Sequence, residues 1–160
     1  MSSQPIGRRA VLSELITAPR QFLDSADPQT RRIAVAASLR HPDLLDRVCA
    51  RLTEDPDAGV RRECLEVLGQ SGAADRQIVE SALGDESAPV REAAATALGE
   101  IGSAESLPAL IEHACNDGED TLVREAAVAA LGSIGDPAAL AVLLRLITAG
   151  PPQVRRRCVA

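Results

Sequence analysis

The side chains in this sequence with the means for chemistry are two histidines, four cysteines and a regular series of arginines. His41 sits in a turn before Pro42, and His113 lies on a helical stretch outside its apolar stripe; both read as surface residues. Cys49, Cys64, Cys115 and Cys158 are far apart, with no C-x-x-C pair and no ligand spacing that would suit zinc. Cys64 and Cys158 fall in a column that elsewhere holds Ala34, Ala94 and Ala127, while Cys49 and Cys115 fall on apolar stripes. All four read as small core residues carrying reduced thiols. Every cation of the Lys and Arg class is an arginine, which excludes a P-loop lysine, a Schiff-base lysine and a lysine general base. Phe22 is the single aromatic, so stacking platforms for bases are excluded as well. The expectation is no catalytic residue, no metal and no cofactor.

The arginines carry the organisation. Arg31, Arg61, Arg91, Arg124 and Arg155 follow Thr30, Val60, Val90, Val123 and Val154, at spacings of 30, 30, 33 and 31 residues. Three of these segments end alike, in Leu68-Gly69-Gln70-Ser71-Gly72, Leu98-Gly99-Glu100-Ile101-Gly102 and Leu131-Gly132-Ser133-Ile134-Gly135. A fixed place in a repeat, in a chain of net charge −6, points to a structural role. Each arginine is expected to bond carboxylates or helix-end carbonyls in the adjacent unit rather than phosphates. The acidic balance disfavours nucleic acid, although Arg31-Arg32, Arg61-Arg62 and Arg155-Arg156-Arg157 leave room for a local basic patch.

Elements that would position these residues are legible. Asp27-Pro28, Asp57, Ser87 and Asp120 each stand three residues before an anchor, where a side-chain oxygen can accept from free first-turn N–H groups. Gly72, Gly102 and Gly135 stand where those helices must stop. A second helix follows in each unit, with the stripes Leu45, Val48, Cys49, Leu52; Ile78, Val79, Ala82, Leu83; Leu107, Leu110, Ile111, Ala114; and Leu140, Leu143, Leu144, Ile147. Such a unit cannot bury its apolar face alone, so neighbours must stack. The units are 27–55, 56–85, 86–117, 118–150 and a partial one at 151–160. Residues 1–26 form a cap region, with a helical stretch over 6–23 that puts Ile6, Val11, Leu12, Leu15 and Ile16 on one side and is broken by Pro19.

The motif D-x-x-V-R-x-x-A-x-x-A-L-G-x-I-G-D-P-x-x-L-x-x-L resembles HEAT-repeat proteins, and among them the short-repeat kind named after phycobilisome lyase subunits. The resemblance implies an all-α, right-handed α-solenoid whose curved inner surface, lined by second helices, binds a protein partner. Aligned second helices put Arg47, Gln77, Ala109 and Val142 in one column, Ala50, Glu80, Glu112 and Arg145 in another, and Arg51, Ser81, His113 and Leu146 beside it. Arg47, Arg51, Gln77, Glu80, Glu112, His113 and Arg145 are therefore the candidate partner-binding residues, basic at the N-terminal end, acidic in the middle and more apolar towards Leu146.

The expected function is a non-catalytic, cytoplasmic scaffold or adaptor. The alternatives are a lyase-like subunit handling a tetrapyrrole and a fragment of a larger HEAT-repeat protein. Deoxyhypusine hydroxylases share the architecture and bind two irons through His-Glu pairs on first helices. The matching positions here are Arg62-Glu63, Glu92-Ala93 and Glu125-Ala126, so that site is not carried over. No apolar run approaches the roughly 18 residues of a membrane span. The sequence from Val154 to Ala160 opens like a first helix and stops, which suggests either a fragment or an end that self-associates.

Overall fold

Ten helices and no strand are found in a computed structural model that describes residues 8–72 and 75–158, with side chains from residue 13 on. They are α1 (Arg8–Thr17), α2 (Pro28–Ala37), α3 (Leu45–Glu54), α4 (Ala58–Ser71), α5 (Arg76–Ser81), α6 (Ala88–Ile101), α7 (Leu107–Cys115), α8 (Thr121–Ile134), α9 (Leu140–Ala149) and α10 (Pro152–Arg157). The even-numbered helices are the first helices of successive units. α2, α4, α6 and α8 pack one on the next, and α3, α5 and α7 pack on α4, α6 and α8. This is an α-solenoid.

Local chemistry sets the helix ends. Asp27, Asp57 and Asp120 accept from the backbone N–H of Thr30, Val60 and Leu122 at 2.9, 3.0 and 2.8 Å. Ser87 occupies the same position before α6 without a side-chain cap bond. Gly72, Gly102 and Gly135 end α4, α6 and α8 at φ of 64°, 72° and 66°, a left-handed geometry that a Cβ would strain.

The core is aliphatic, as the composition requires. Val60, Cys64, Leu65 and Leu68 of α4, Val90, Ala94, Ala95 and Leu98 of α6, and Val123, Ala127, Val128 and Leu131 of α8 are fully or almost fully buried. Where first helices cross, the Leu-Gly dipeptide gains its meaning. A Cβ on Gly99 would lie 2.8 Å from Ala130 Cα, and one on Gly69 would lie 3.0 Å from Ala97 Cα. Glycine on one helix and alanine on the next let the backbones come into contact, and a large side chain has no room there.

Two expectations are corrected. On α9 the buried residue is Leu146, placed above in a groove column, whereas Leu140 and Leu144 are 56% and 54% exposed. Leu107, in the register of Leu140, is 6% exposed on α7, against which α8 packs, whereas α9 packs on the six-residue α10. The N-terminal helix stops at Thr17, before a 3₁₀ turn over Pro19–Phe22. It packs on α2 and buries Leu15, but Ile16 is exposed. Ile6, and the side chains of Val11 and Leu12, lie outside the described residues.

The glycine crossing gives a paired test by urea unfolding. Gly99→Ala forces α6 and α8 apart and is expected to cost about 1–2 kcal/mol, net of better helix propensity. Gly132→Ala, whose Cβ meets nothing within 4 Å, is expected to be neutral or to stabilise by about 0.5–1 kcal/mol.

Candidate binding surface

The arginine that follows each anchor begins its first helix with its side chain directed back into the turns between units. Arg31 donates through Nε and Nη2 to Asp55 at 2.8 and 2.7 Å, and through Nη1 to the carbonyl of Ser25 at 2.8 Å. Arg61 grips Asp85 in the same forked way, at 2.8 and 2.9 Å, and its Nη1 donates to the carbonyl of Asp55 at 2.9 Å. Arg91 grips Glu119 at 3.1 and 2.7 Å and donates to the carbonyl of Asp85 at 2.8 Å. Asp55 and Asp85 thus receive one arginine on the carboxylate and the next on the carbonyl. A continuous chain of charge-assisted bonds runs along the turns.

Asp55 and Asp85 also accept from the N–H of Asp57 and Ser87, at 3.0 and 2.8 Å, which shapes the entry to the next helix. The fourth unit departs from the pattern. Its closing turn, Thr148-Ala149-Gly150-Pro151-Pro152, has no acid. Arg124 turns instead to Asp117 at 3.1 Å and to the carbonyl of Ala114 at 3.3 Å, and Arg155 is exposed with no ion pair among the described residues. The carboxylates were missed in the sequence, where they do leave a signal: an acid 24 residues after Arg31 and Arg61, and 28 after Arg91.

These ion pairs shift titration. Burial pushes the Glu119 carboxyl up, but hydrogen bonds from Arg91, from the Asp120 N–H and from His113 outweigh it and hold the group at about 2. Asp55 and Asp85 are likewise held low, burial being outweighed by Arg31 and Arg61 respectively and by the turn N–H groups. Burial pushes the Cys64 thiol up, consistent with an inert core residue.

The second-helix candidates divide into tethered and free. Arg47 pairs with Asp24 and donates to the carbonyl of Arg20 at 3.1 Å; Arg51 pairs with Asp24 at 3.0 Å. Glu80 pairs with Arg76, which also reaches Glu105 at 3.1 Å in the next unit. His113 Nδ1 lies 2.9 Å from Glu119 Oε2, so it belongs to the arginine chain rather than to an open surface. Arg145 is exposed and directs Nη2 at Cys115 Sγ, at 3.1 Å. Gln77 and Glu112 are exposed, with no side-chain partner among the described residues. A recess of about 440 Å³ opens between α3 and α5, lined by Leu45, Asp46, Cys49, Thr53, Asp75 and Ile78. Among the described residues no group of three or more His, Cys, Asp or Glu is placed to hold a metal ion, and no helix is long and apolar enough to cross a membrane.

A profile of HEAT repeats matches residues 76–160, more than half of the chain. The chain belongs to the HEAT-repeat family. No curated protein is significantly similar to it in sequence. Solved structures of similar fold include the CpcE–CpcF complex of phycocyanin lyase from Nostoc sp., at 21% identity and TM-score 0.69, covering 99% of this chain and 64% of that one. Human deoxyhypusine hydroxylase in complex with glycerol matches at 19% identity and TM-score 0.64, over 94% of this chain and 62% of that one. An engineered protein matches at 19% identity and TM-score 0.58, over 94% and 77%. The chain therefore spans less than two thirds of the two natural proteins, and the likeness to all three is one of fold.

The arginine chain predicts how this HEAT-repeat protein responds to acid. A carboxylate held below its ordinary value stabilises the fold fully above that value, and the contribution is lost as pH falls through the folded one. Glu119, ordinarily near 4.5 and here about 2, should make stability fall between about pH 5 and pH 2. Glu119→Gln is expected to be less stable at pH 7 and flatter across that window in urea titrations, and curves that stay parallel would refute the assignment.

Proposed function

We propose that the protein is a non-catalytic, cytoplasmic adaptor that captures a protein partner on the face formed by its second helices. The reading is carried by the way charge is fixed there. Arg47 and Arg51 are held by Asp24, and Glu80 by Arg76, so the surface offers positioned charges of alternating sign rather than mobile side chains. Gln77 on α5 and Glu112 on α7 are exposed, and a recess opens between α3 and α5. Mixed charge beside a partly apolar recess suits a folded protein or a peptide better than a uniform polyanion or a lipid surface. The free cysteines accord with a reducing compartment.

Similarity to the phycocyanin lyase complex favours a second reading, a subunit that works with a tetrapyrrole-handling assembly. The solenoid's aliphatic composition argues against it, since Phe22 alone could wall a large conjugated ligand.

The adaptor reading predicts that Glu112→Arg, combined with Gln77→Glu, lowers affinity for a partner captured from native extract by about tenfold, with unchanged circular dichroism. Unchanged capture by this variant would refute the groove. Addition of a bilin separates the two readings: the adaptor leaves its absorbance spectrum unaltered, whereas a lyase-like subunit shifts it.

A further inference from the structure

Arginines span the gaps on either side of α3 and α5, but not the gap between them. Arg47 and Arg51 reach from α3 back to Asp24. Arg76 reaches from α5 forward to Glu105, in the turn entering α7, at 3.1 Å, and Arg145 reaches from α9 back to Cys115 Sγ at 3.1 Å. Between α3 and α5 stand two carboxylates instead. Asp46 of α3 has no hydrogen-bond or ion-pair partner among the described residues. The side chain of Asp75, at the start of α5, accepts from the N–H of Gln77 in its own first turn at 2.9 Å and from no cation among the described residues.

The recess of about 440 Å³ opens at this same gap. Leu45, Cys49, Leu68 and Ile78 give it an apolar lining, and Asp46 and Asp75 enter it from the two helices. Both carboxylates lie close to Cys49: burial pushes its thiol up, and Asp46 and Asp75 add to the rise. The neighbouring arginines are committed elsewhere, Arg47 and Arg51 to Asp24 and Arg76 to Glu80 and Glu105.

We propose that this recess takes a basic side chain, Lys or Arg, from the protein partner, which supplies in trans the cation that the adjoining gaps hold in cis. The inference rests on the adaptor reading and names the chemistry of the partner's anchor. The aliphatic stem of such a side chain lies along Leu45, Leu68 and Ile78, and its charged head meets Asp46 and Asp75. A neutral apolar side chain would cover the two carboxylates without pairing them, and a bare metal ion would leave the apolar lining unused.

Lysine blocked at both backbone ends, as Nα-acetyl-lysine N-methylamide, probes the contact without a partner. In proton–nitrogen correlation spectra of the full chain in reducing buffer, it should shift the amides of α3 and α5 that flank the recess. A small probe of this kind should bind with Kd on the order of millimolar, and more weakly as salt is raised. The blocked norleucine counterpart, which keeps the stem and lacks the ammonium, should bind the unmodified chain about tenfold more weakly. Asp46→Asn with Asp75→Asn should weaken lysine binding by a similar factor and leave thermal stability nearly unchanged, because Asn caps α5 as Asp does. Absence of shifts up to about 50 mM blocked lysine, or equal binding of norleucine, would overturn the proposal. So would lysine binding that survives the double Asn variant, because the cation would then be held elsewhere. Loss of partner capture in the Gln77 and Glu112 variant, without lysine binding, overturns the anchor and keeps the adaptor face. Retained capture in that variant overturns the face, and with it the assignment of the anchor to a partner, even where lysine binds.

Discussion

The structure depends on how closely consecutive first helices approach. At the crossings of α4 with α6 and of α6 with α8, glycine faces the alanine of the next helix, and a Cβ on either glycine would come within 3.0 Å of that alanine's Cα. That closeness fixes the rest. It goes with Arg31, Arg61 and Arg91 reaching the turns that follow their second helices. It also leaves the core so thin that Val, Leu and Ala fill it, which is why a chain of this size folds with Phe22 as its only aromatic. Close backbone contact earns dispersion energy over many atom pairs at once, each worth little individually.

The arginine chain acts within that frame, and its value is geometric more than energetic. Taking an arginine and a carboxylate out of water costs several kcal/mol, and their attraction largely offsets that cost without leaving a large surplus. What the forked geometry adds is direction. Asp55 accepts from Arg31, from the N–H of Asp57 and, through its carbonyl, from Arg61, so a single residue sets the turn, the helix start and the spacing of two units. Losing one member leaves a buried charge without its partner, and that asymmetry makes these pairs matter. The fourth unit shows the dependence by default: with no acid in its closing turn, Arg124 falls back on Asp117 and a helix-end carbonyl.

Legibility in the sequence followed the range of the forces involved. Helix starts at Asp27, Asp57 and Asp120 and stops at Gly72, Gly102 and Gly135 depend on the nearest few residues, and they could be read directly. The repeat period revealed the stacking, because five anchors in register have no other economical explanation. The outward-facing details were harder. Whether Leu140 or Leu146 is buried depends on what lies against α9, a matter of the neighbouring unit rather than of the local pattern. His113 looked like a surface residue on its helix, but the turn that carries Glu119 folds back to meet it. The carboxylates of the chain were visible as recurrent acids, yet their role required knowing which turns the arginines reach.

On the adaptor reading proposed above, specificity would come from where the second-helix face fixes its charge. Arg47 and Arg51 are held by Asp24, and Glu80 by Arg76, so these side chains are positioned by their neighbours. Side chains positioned in advance have less conformational entropy to lose when a surface is covered, and their fixed directions would discriminate among partners of similar net charge. The repeat that stacks the first helices is therefore also what sets the charge pattern on the second ones, because Asp24, Arg76 and Glu105 reach the face from the turns and helices of neighbouring units.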